Sequence, residues 1–405
     1  MPFDPPPTPK SPLGYHRILS ATAGVRVSPL CLGAMNFGNA LYVLLKYLKT
    51  AYNLVLTTSR KAAMGECTKE TAFEILDFFF EQGGNFIDTA NAYQGEESEE
   101  WLGEWMASRK NRDQLVIASK YTSVYPSGKN GEKIKSNFQG NHAKSLHVSL
   151  DASLKKLQTS YLDVLYVHWW DFTTSVPELM QTLNRAIDAG KVLYLGISDT
   201  PAWVVSKANE YARSHGLTQF SVYQGKWNAA TRDFERDILP MCESEGMAIA
   251  PWGVLGSGSF KTEAQRKATE GEGRNMFLST EQDAKITKKL ESIAVRKGTL
   301  ITSVALAYIM HKFPYVYPIV GGRKVEHLKS NIEALRLELS DEEIDEIEDA
   351  APFDVGFPMN MLFGLHDPNA KYRSRMTSAD INLLKFAFHL DAPEKQRPVR
   401  PHKLD

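Results

Sequence analysis

The chain has 405 residues, and 47 Lys and Arg balance 48 Asp and Glu to a formal net charge of −1. Hydrophobic residues at 43% and charged residues at 23% suit a globular fold with a large core. No clustered basic stretch recruits nucleic acid or an acidic membrane surface, and three scattered cysteines (Cys31, Cys67, Cys242) form neither a disulfide framework nor a CxxC metal site.

The first stretch, MPFDPPPTPKSP, is proline-rich and polar and reads as a disordered lead-in over residues 1–14 rather than a secretory signal. Tyr15–Leu19 and Val25–Val27 flank Thr22-Ala23-Gly24 and predict an N-terminal β-hairpin. Leu30–Ala34 is the first strand candidate of a long alternation. The run Leu41–Leu56 is too short for a membrane span of about 20 residues and carries Lys46 and Lys49. With reduced cysteines expected, the composition is that of a cytoplasmic protein.

Thr68 can cap a helix whose apolar face is Ala72, Ile75, Leu76 and Phe79, ended by Gly83-Gly84. Phe86–Asp88 is the second strand, and Leu115–Ser119 the third. A helix with Leu146, Leu150, Leu154 and Leu157 follows, and Tyr161–Val167 is the fourth strand. Val192–Ile197, Phe220–Tyr223, Met247–Ala250 and Val316–Val320 are the fifth to eighth, with helices between and an extra apolar one near Ser303–Met310. Strict alternation predicts a parallel sheet with helices outside, and eight repeats predict a closed (β/α)8 TIM barrel. An open doubly wound sheet is the alternative, but it predicts a G-x-G-x-x-G turn that this chain lacks.

Barrel active sites lie at the carboxyl ends of the strands. That rule selects Asp88, with Tyr93 five residues on, then Lys120, His168, Ser198, Asp199, Gln224, Trp252 and the Gly321-Gly322-Arg323 turn. Each has a plainer reading: a turn cap for Asp88, packing for Tyr93, a solvated lysine, a satisfied core histidine. Together, four of them form a proton donor. A tyrosine hydroxyl, with a reference pKa of about 10, is a poor acid at neutral pH. A neighbouring Lys120 ammonium is expected to lower it, Asp88 to hold that ammonium, and His168 to bond the substrate carbonyl. No metal site is legible, since His142 and His147 do not share a helical face.

At these residues the chain resembles the aldo-keto reductase superfamily. NFIDTANAYQGEESE (Asn85–Glu99), SKY (Ser119–Tyr121) and YVHWWD (Tyr166–Asp171) are similar to its aspartate–tyrosine, lysine and histidine segments, within a match from about Tyr15 to about Ala350. The resemblance implies Asp88, Tyr93, Lys120 and His168 as the catalytic tetrad, with Tyr93 the general acid, and NADP(H) as cofactor. Ser198, Asp199 and Gln224 resemble the residues that hold the nicotinamide carboxamide, although the family usually has asparagine where Asp199 stands. Trp252 resembles the aromatic that stacks on the nicotinamide, and Gly256 and Gly258 the pyrophosphate turn. GGRKVEHLKSN, with Gly322, Arg323, Lys324, His327 and Asn331, resembles the 2′-phosphate segment; Ser330 stands where many relatives have glutamate.

LGYHRILS, LYVHWWDFTTSVPE, GISDTPAW and APFDVGFPMN are similar to a fungal group of aryl-alcohol dehydrogenases and norsolorinic acid reductases. That implies an aromatic aldehyde or polyketide-type ketone as the small-molecule substrate, in secondary metabolism. Trp169, Trp170 and Trp227, with Phe172, are the expected aromatic pocket; outer packing is the plainer reading for each. A Schiff-base aldolase using Lys120, and a slow cofactor-binding regulatory protein, are the competing functions.

Two segments depart from the pattern. Leu41–Ala63 interrupts it, is apolar and carries no acid. It reads as a translated retained intron, a lid over the rim, or a tolerated loop. Residues 351–405 form a C-terminal extension with one predicted helix near Ser378–Leu390, and oligomeric state is not legible.

Overall fold

The computed structural model describes residues 6–38, 67–125, 133–262, 280–365 and 372–402. The 41–63 insertion lies outside the described residues.

A hairpin of β1 (Arg17–Ser20) and β2 (Ala23–Val27) precedes eight parallel strands. These are β3 (Cys31–Gly33), β4 (Phe86–Asp88), β5 (Val116–Tyr121), β6 (Leu162–Val167), β7 (Val192–Ser198), β8 (Phe220–Lys226), β9 (Ala248–Trp252) and β10 (Ile319–Val320), in the spatial order β10-β3-β4-β5-β6-β7-β8-β9. The ring closes through the segment leading into β10. Val316 bridges Ile249 of β9 in parallel, and β10 then pairs with β3. The expected eighth strand is therefore split: its first residues join β9, its last join β3, and Pro318 between them gives its carbonyl to Cys31 N–H.

Side-chain alternation along the strands builds two cores. Phe86, Val116, Ala118, Val164, Tyr166, Val222, Ala248 and Ala250 fill the barrel interior, plugged at the bottom by Leu19, Ala23 and Val27 of the hairpin. Their neighbours Ile87, Ile117, Leu165, Ile197, Tyr223 and Ile249 face outward onto the helices. The helix α1 (Lys69–Glu81) buries the expected stripe, and Thr68 caps it by accepting from Thr71 N–H. The helices α2 (Glu97–Arg109), α3 (Ala143–Lys156), α4 (Val176–Asp188), α5 (Ala202–Ser214) and α6 (Ile238–Glu245) continue the outer ring. After them come α7 (Glu281–Lys297), α8 (Ile301–Met310), buried except at Thr302, then α9 (Val325–Glu333) and α10 (Asp341–Asp349). Among the described residues no single helix is long and apolar enough to cross a membrane; α7 and α8 pass such a test only as a pair bent by 100°.

Two terminal expectations are corrected. The described part of the lead-in includes a 3-10 turn, Pro12–Gly14, because Leu13 has an apolar site to fill and Ser11 Oγ donates to the Gln82 carbonyl at the end of α1. The C-terminal stretch has no helix over Ser378–Leu390. It makes two short 3-10 turns, Ser378–Asp380 and Asn382–Phe386, since no buried face supports a longer one. The extension instead returns along the barrel wall, with Tyr372 Oη donating to the Glu235 carbonyl, Lys395 paired to Glu243, and Arg400 donating to the Leu339 carbonyl.

Candidate active site

Alternation also places the polar residues at the top of the barrel. Phe86, Ala118, Tyr166, Gly196, Val222 and Ala250 point inward or line the interior, so the residues two places on do too. These are Asp88, Lys120, His168, Ser198, Gln224 and Trp252, one from each of six consecutive strands or the residue just beyond. Lys120 lies within β5 rather than after it, and Gln224 within β8.

Lys120 is buried, 1% exposed, and its Nζ donates to Asp88 Oδ2 at 2.6 Å, to the Thr89 carbonyl at 2.7 Å and to Tyr93 Oη at 3.3 Å. Burial alone would pull the lysine pKa down, but Asp88 and Tyr93 together hold it above its ordinary value. An ammonium so held is no Schiff-base nucleophile, which removes the aldolase reading. Tyr93 begins a 3-10 turn, Tyr93–Glu96, in the loop after β4. Its pKa corrects the sequence expectation: burial outweighs Lys120, and the phenol lies above rather than below its ordinary value. Tyr93 and His168 meet edge to face with ring centroids 5.8 Å apart. Burial and then Lys120 push the His168 imidazole down to about 3, so it is neutral throughout the physiological range.

The loop carrying His168 is braced from behind. The Asp171 carboxylate accepts from the backbone N–H groups of Asn141, Thr173 and Thr174 and from the Thr174 hydroxyl. Sequence reasoning missed this brace, and also Thr89, whose contribution is a backbone carbonyl that no side-chain motif reveals.

The residues proposed for a nicotinamide cofactor fall on the same rim. Ser198 and Gln224 are register partners, and among the described residues the buried Ser198 hydroxyl makes no full hydrogen bond, interacting only weakly with the Asp199 carboxylate. A hydroxyl so poorly satisfied at such a place fits a polar ligand group. Gln224 Nε2 donates to Asp88 Oδ1 at 2.9 Å. Trp252 Nε1 donates to Asp199 Oδ1 at 3.3 Å, and Asp199 sits at φ 41. Desolvation pushes its carboxyl up to about 6, with the Trp252 indole the first opposing influence. Gly256–Gly258 form a 3-10 turn with φ of 63, 52 and 96 along its three residues. At φ 63 a Cβ on Gly256 would also lie 2.3 Å from Ser259 Oγ, whereas Gly258, at φ 96, has open space where a side chain would be.

Gly322 and Arg323 follow β10, and Lys324 stands at the residue before α9 begins. Burial first, then Arg323 and Lys324, hold His327 below its ordinary value, the mark of a crowded positive cluster at a helix start. Asn331 is buried on α9.

The expected aromatic pocket is only partly realised. Trp170 is 8% exposed and belongs to the outer core. Trp227 is fully buried, stacked on Phe234 at 5.7 Å with its N–H on Glu235 Oε1. Both pack because the adjacent layers offer apolar area and an acceptor. Trp169 stays at the rim, and Phe172 is 72% exposed with φ 57.

A closed (β/α)8 barrel with a buried lysine joining an aspartate to a tyrosine, beside a neutral histidine, defines a carbonyl-reducing oxidoreductase. Residues 29–352 match the Aldo/keto reductase family, and the chain belongs to it. It is 58% identical over 395 residues to norsolorinic acid reductase A of Aspergillus parasiticus, covering 98% of this chain and 95% of that one. It is 51% identical to an aryl-alcohol dehydrogenase of Pestalotiopsis microspora, over 100% of this chain and 97% of the other. It is also 47% identical to aryl-alcohol dehydrogenase [NADP(+)] of Phanerodontia chrysosporium, over 98% and 99%.

Proposed function

We propose that the chain is an NADPH-dependent reductase that converts an aromatic aldehyde or polyketide-type ketone to its alcohol in fungal secondary metabolism. The observation that carries this is the buried ammonium of Lys120, shared by Asp88 and Tyr93. The relatives named for norsolorinic acid and aryl alcohols, one of them for NADP(+), support the substrate class and the cofactor.

NADPH, when bound, supplies the hydride that the carbonyl carbon accepts. Ser198, Asp199 and Gln224 would hold its carboxamide, Trp252 its ring, the Gly256–Gly258 turn its pyrophosphate, and Arg323 with Lys324, His327 and Asn331 its 2′-phosphate. A guanidinium matches a phosphate bidentately, which favours Arg323 as the main contact. Neutral His168 donates an N–H to the substrate carbonyl and fixes its angle. As negative charge grows on that oxygen, Tyr93 gives up its proton there, and Lys120 stabilises the phenolate left behind. Asp88 keeps Lys120 charged and aimed. Trp169 lines the substrate mouth. The three buried free cysteines support a cytoplasmic site.

The test is loss of nicotinamide absorbance when the protein and NADPH meet an aromatic aldehyde. Turnover that vanishes in Tyr93→Phe supports the reading. Turnover unaffected by that change removes Tyr93 from its role.

A further inference from the structure

His168 can donate to a carbonyl only if its proton is on the nitrogen facing the substrate. A neutral imidazole carries one ring proton, and what the other nitrogen bonds to decides where it sits. Ser123 Oγ lies 3.5 Å from His168 Nδ1 and accepts from Trp169 Nε1–H at 3.1 Å. The direction of the second bond is forced, because an indole nitrogen only donates. That leaves the Ser123 hydroxyl proton free to point at His168 Nδ1. If Nδ1 carried the proton instead, Ser123 Oγ would accept twice, and its own hydrogen would find no acceptor among the described residues. Asn91 Nδ2 holds the Ser123 carbonyl at 3.2 Å, and His168 N–H bonds both the Tyr121 carbonyl and Thr122 Oγ1, so neither partner is free to drift.

We propose that Ser123 and Trp169 are positioning residues that fix His168 as the Nε2–H tautomer, through the chain Trp169 Nε1–H to Ser123 Oγ–H to His168 Nδ1. This rests on the proposed function, in which His168 donates an N–H to the substrate carbonyl; with Nδ1 turned to Ser123, that N–H is the one on Nε2. Trp169 thereby acquires a second role, since the indole wall of the substrate mouth is also the fixed donor that orients the serine. Coupling the two means that a change in the wall reaches the proton inventory of the site. The neutral state of the imidazole is supplied separately, by burial and Lys120.

The experiment is a two-bond proton–nitrogen correlation spectrum of the full chain labelled with 15N in its histidine rings, with His168→Gln to assign the signal. The expected wild-type pattern is one protonated Nε2 and one bare Nδ1. Ser123→Ala is expected to give a mixed tautomer pattern and a kcat about 10-fold lower with little change in KM, a fraction of what proton donors contribute. Ser123→Thr keeps a hydroxyl and restores both, and Trp169→Phe keeps the ring but not the N–H and falls between. NADPH binding by each variant reports that it is folded. A wild-type Nδ1–H pattern, or a spectrum unmoved by Ser123→Ala, overturns the proposal. The tautomer is read without turnover, so an Nε2–H pattern in a protein that reduces no carbonyl upholds this inference and sinks the assigned activity instead.

Discussion

Gln224 Nε2 reaches Asp88 Oδ1 at 2.9 Å across 136 residues of chain. The contact joins a strand-end residue assigned to the cofactor amide to the carboxylate that holds Lys120. With Lys120 on Oδ2 and Gln224 on Oδ1, both oxygens of a carboxylate only 3% exposed are satisfied. Gln224→Leu strips one donor and leaves a buried acceptor without its bond, at about 1–3 kcal/mol. The expected outcome is a kcat/KM for NADPH-dependent reduction about 10-fold lower, with NADPH affinity reduced as well. Gln224→Glu brings a second carboxylate against Asp88 and is expected to do worse. Equal loss in the two variants would count against the coupling.

The pH profile of reduction follows from Tyr93. The reaction consumes its protonated form, and burial holds its pKa above the ordinary value of about 10. Neutral His168 does not titrate above about 3. At saturating NADPH, kcat for reduction is therefore expected to be flat across neutral pH and to fall only beyond about pH 10, while alcohol oxidation, which needs the phenolate, rises toward high pH. In Lys120→Met the ammonium that opposes burial is gone, so the rising oxidation limb is expected to move to higher pH, with kcat lower by about 100-fold or more. Initial rates in both directions from pH 5 to 11 check this.

A buried ionic cluster ties the loop after β8 to the end of α10. Lys312 Nζ pairs with Glu235 Oε2 at 2.8 Å and with Glu348, while Arg232 pairs with Glu235 at 2.8 Å and Glu348 at 3.1 Å. Burial alone would raise the Glu235 carboxyl, but Lys312 and Arg232 outweigh it and hold it below the ordinary carboxylate range. The depressed value contributes stability that is present above about pH 4.3 and is lost as pH falls below that. Glu235→Gln leaves two buried cations sharing one carboxylate, at about 3–5 kcal/mol, and is expected to lower Tm by roughly 4–6 °C at neutral pH. The variant's Tm is expected to change less than that of wild type between pH 5 and 3, because the titrating group is gone. Thermal unfolding at several pH values measures both effects.

Much of this site was legible because strand alternation and the strand-end rule act locally. Asp88, Lys120, Ser198, Gln224 and Trp252 needed only the period of two and the end of each apolar run. The sign of the Tyr93 shift was not legible, since its burial comes from tertiary packing that no single segment encodes. Trp227 misled for a similar reason. A tryptophan just beyond a strand looks like a pocket wall, and only the presence of Phe234 beneath it and Glu235 on its N–H turns it inward. Ser123 carries no motif at all: a loop serine is read as solvated until Trp169 and His168 are seen on either side of it. The split eighth strand follows from Pro318, whose missing N–H breaks the ladder where the chain changes partner from β9 to β3.

Asp199 is the residue whose replacement is most informative about cofactor contact. A carboxylate accepts from the NH2 of a carboxamide but cannot donate to its oxygen, whereas a protonated carboxyl does both, as an asparagine amide does. Its carboxyl is pushed up to about 6, so wild type converts from the first state to the second as pH falls through that value. NADPH affinity is accordingly expected to rise in wild type between pH 8 and 5, relative to Asp199→Asn, whose amide does not titrate. The residue keeps an exposed face, so solvent screening confines the difference to the low end for a hydrogen bond, about 3-fold to 5-fold. The 2′-phosphate of NADPH itself gains a proton near pH 6 and weakens its hold on Arg323, so a single titration curve mixes two opposing effects. The ratio of the two proteins' dissociation constants, from fluorescence titration at each pH, cancels the phosphate contribution. A ratio constant from pH 8 to 5 means that Asp199 does not touch the carboxamide; a ratio that falls to unity at the acid end means that it does.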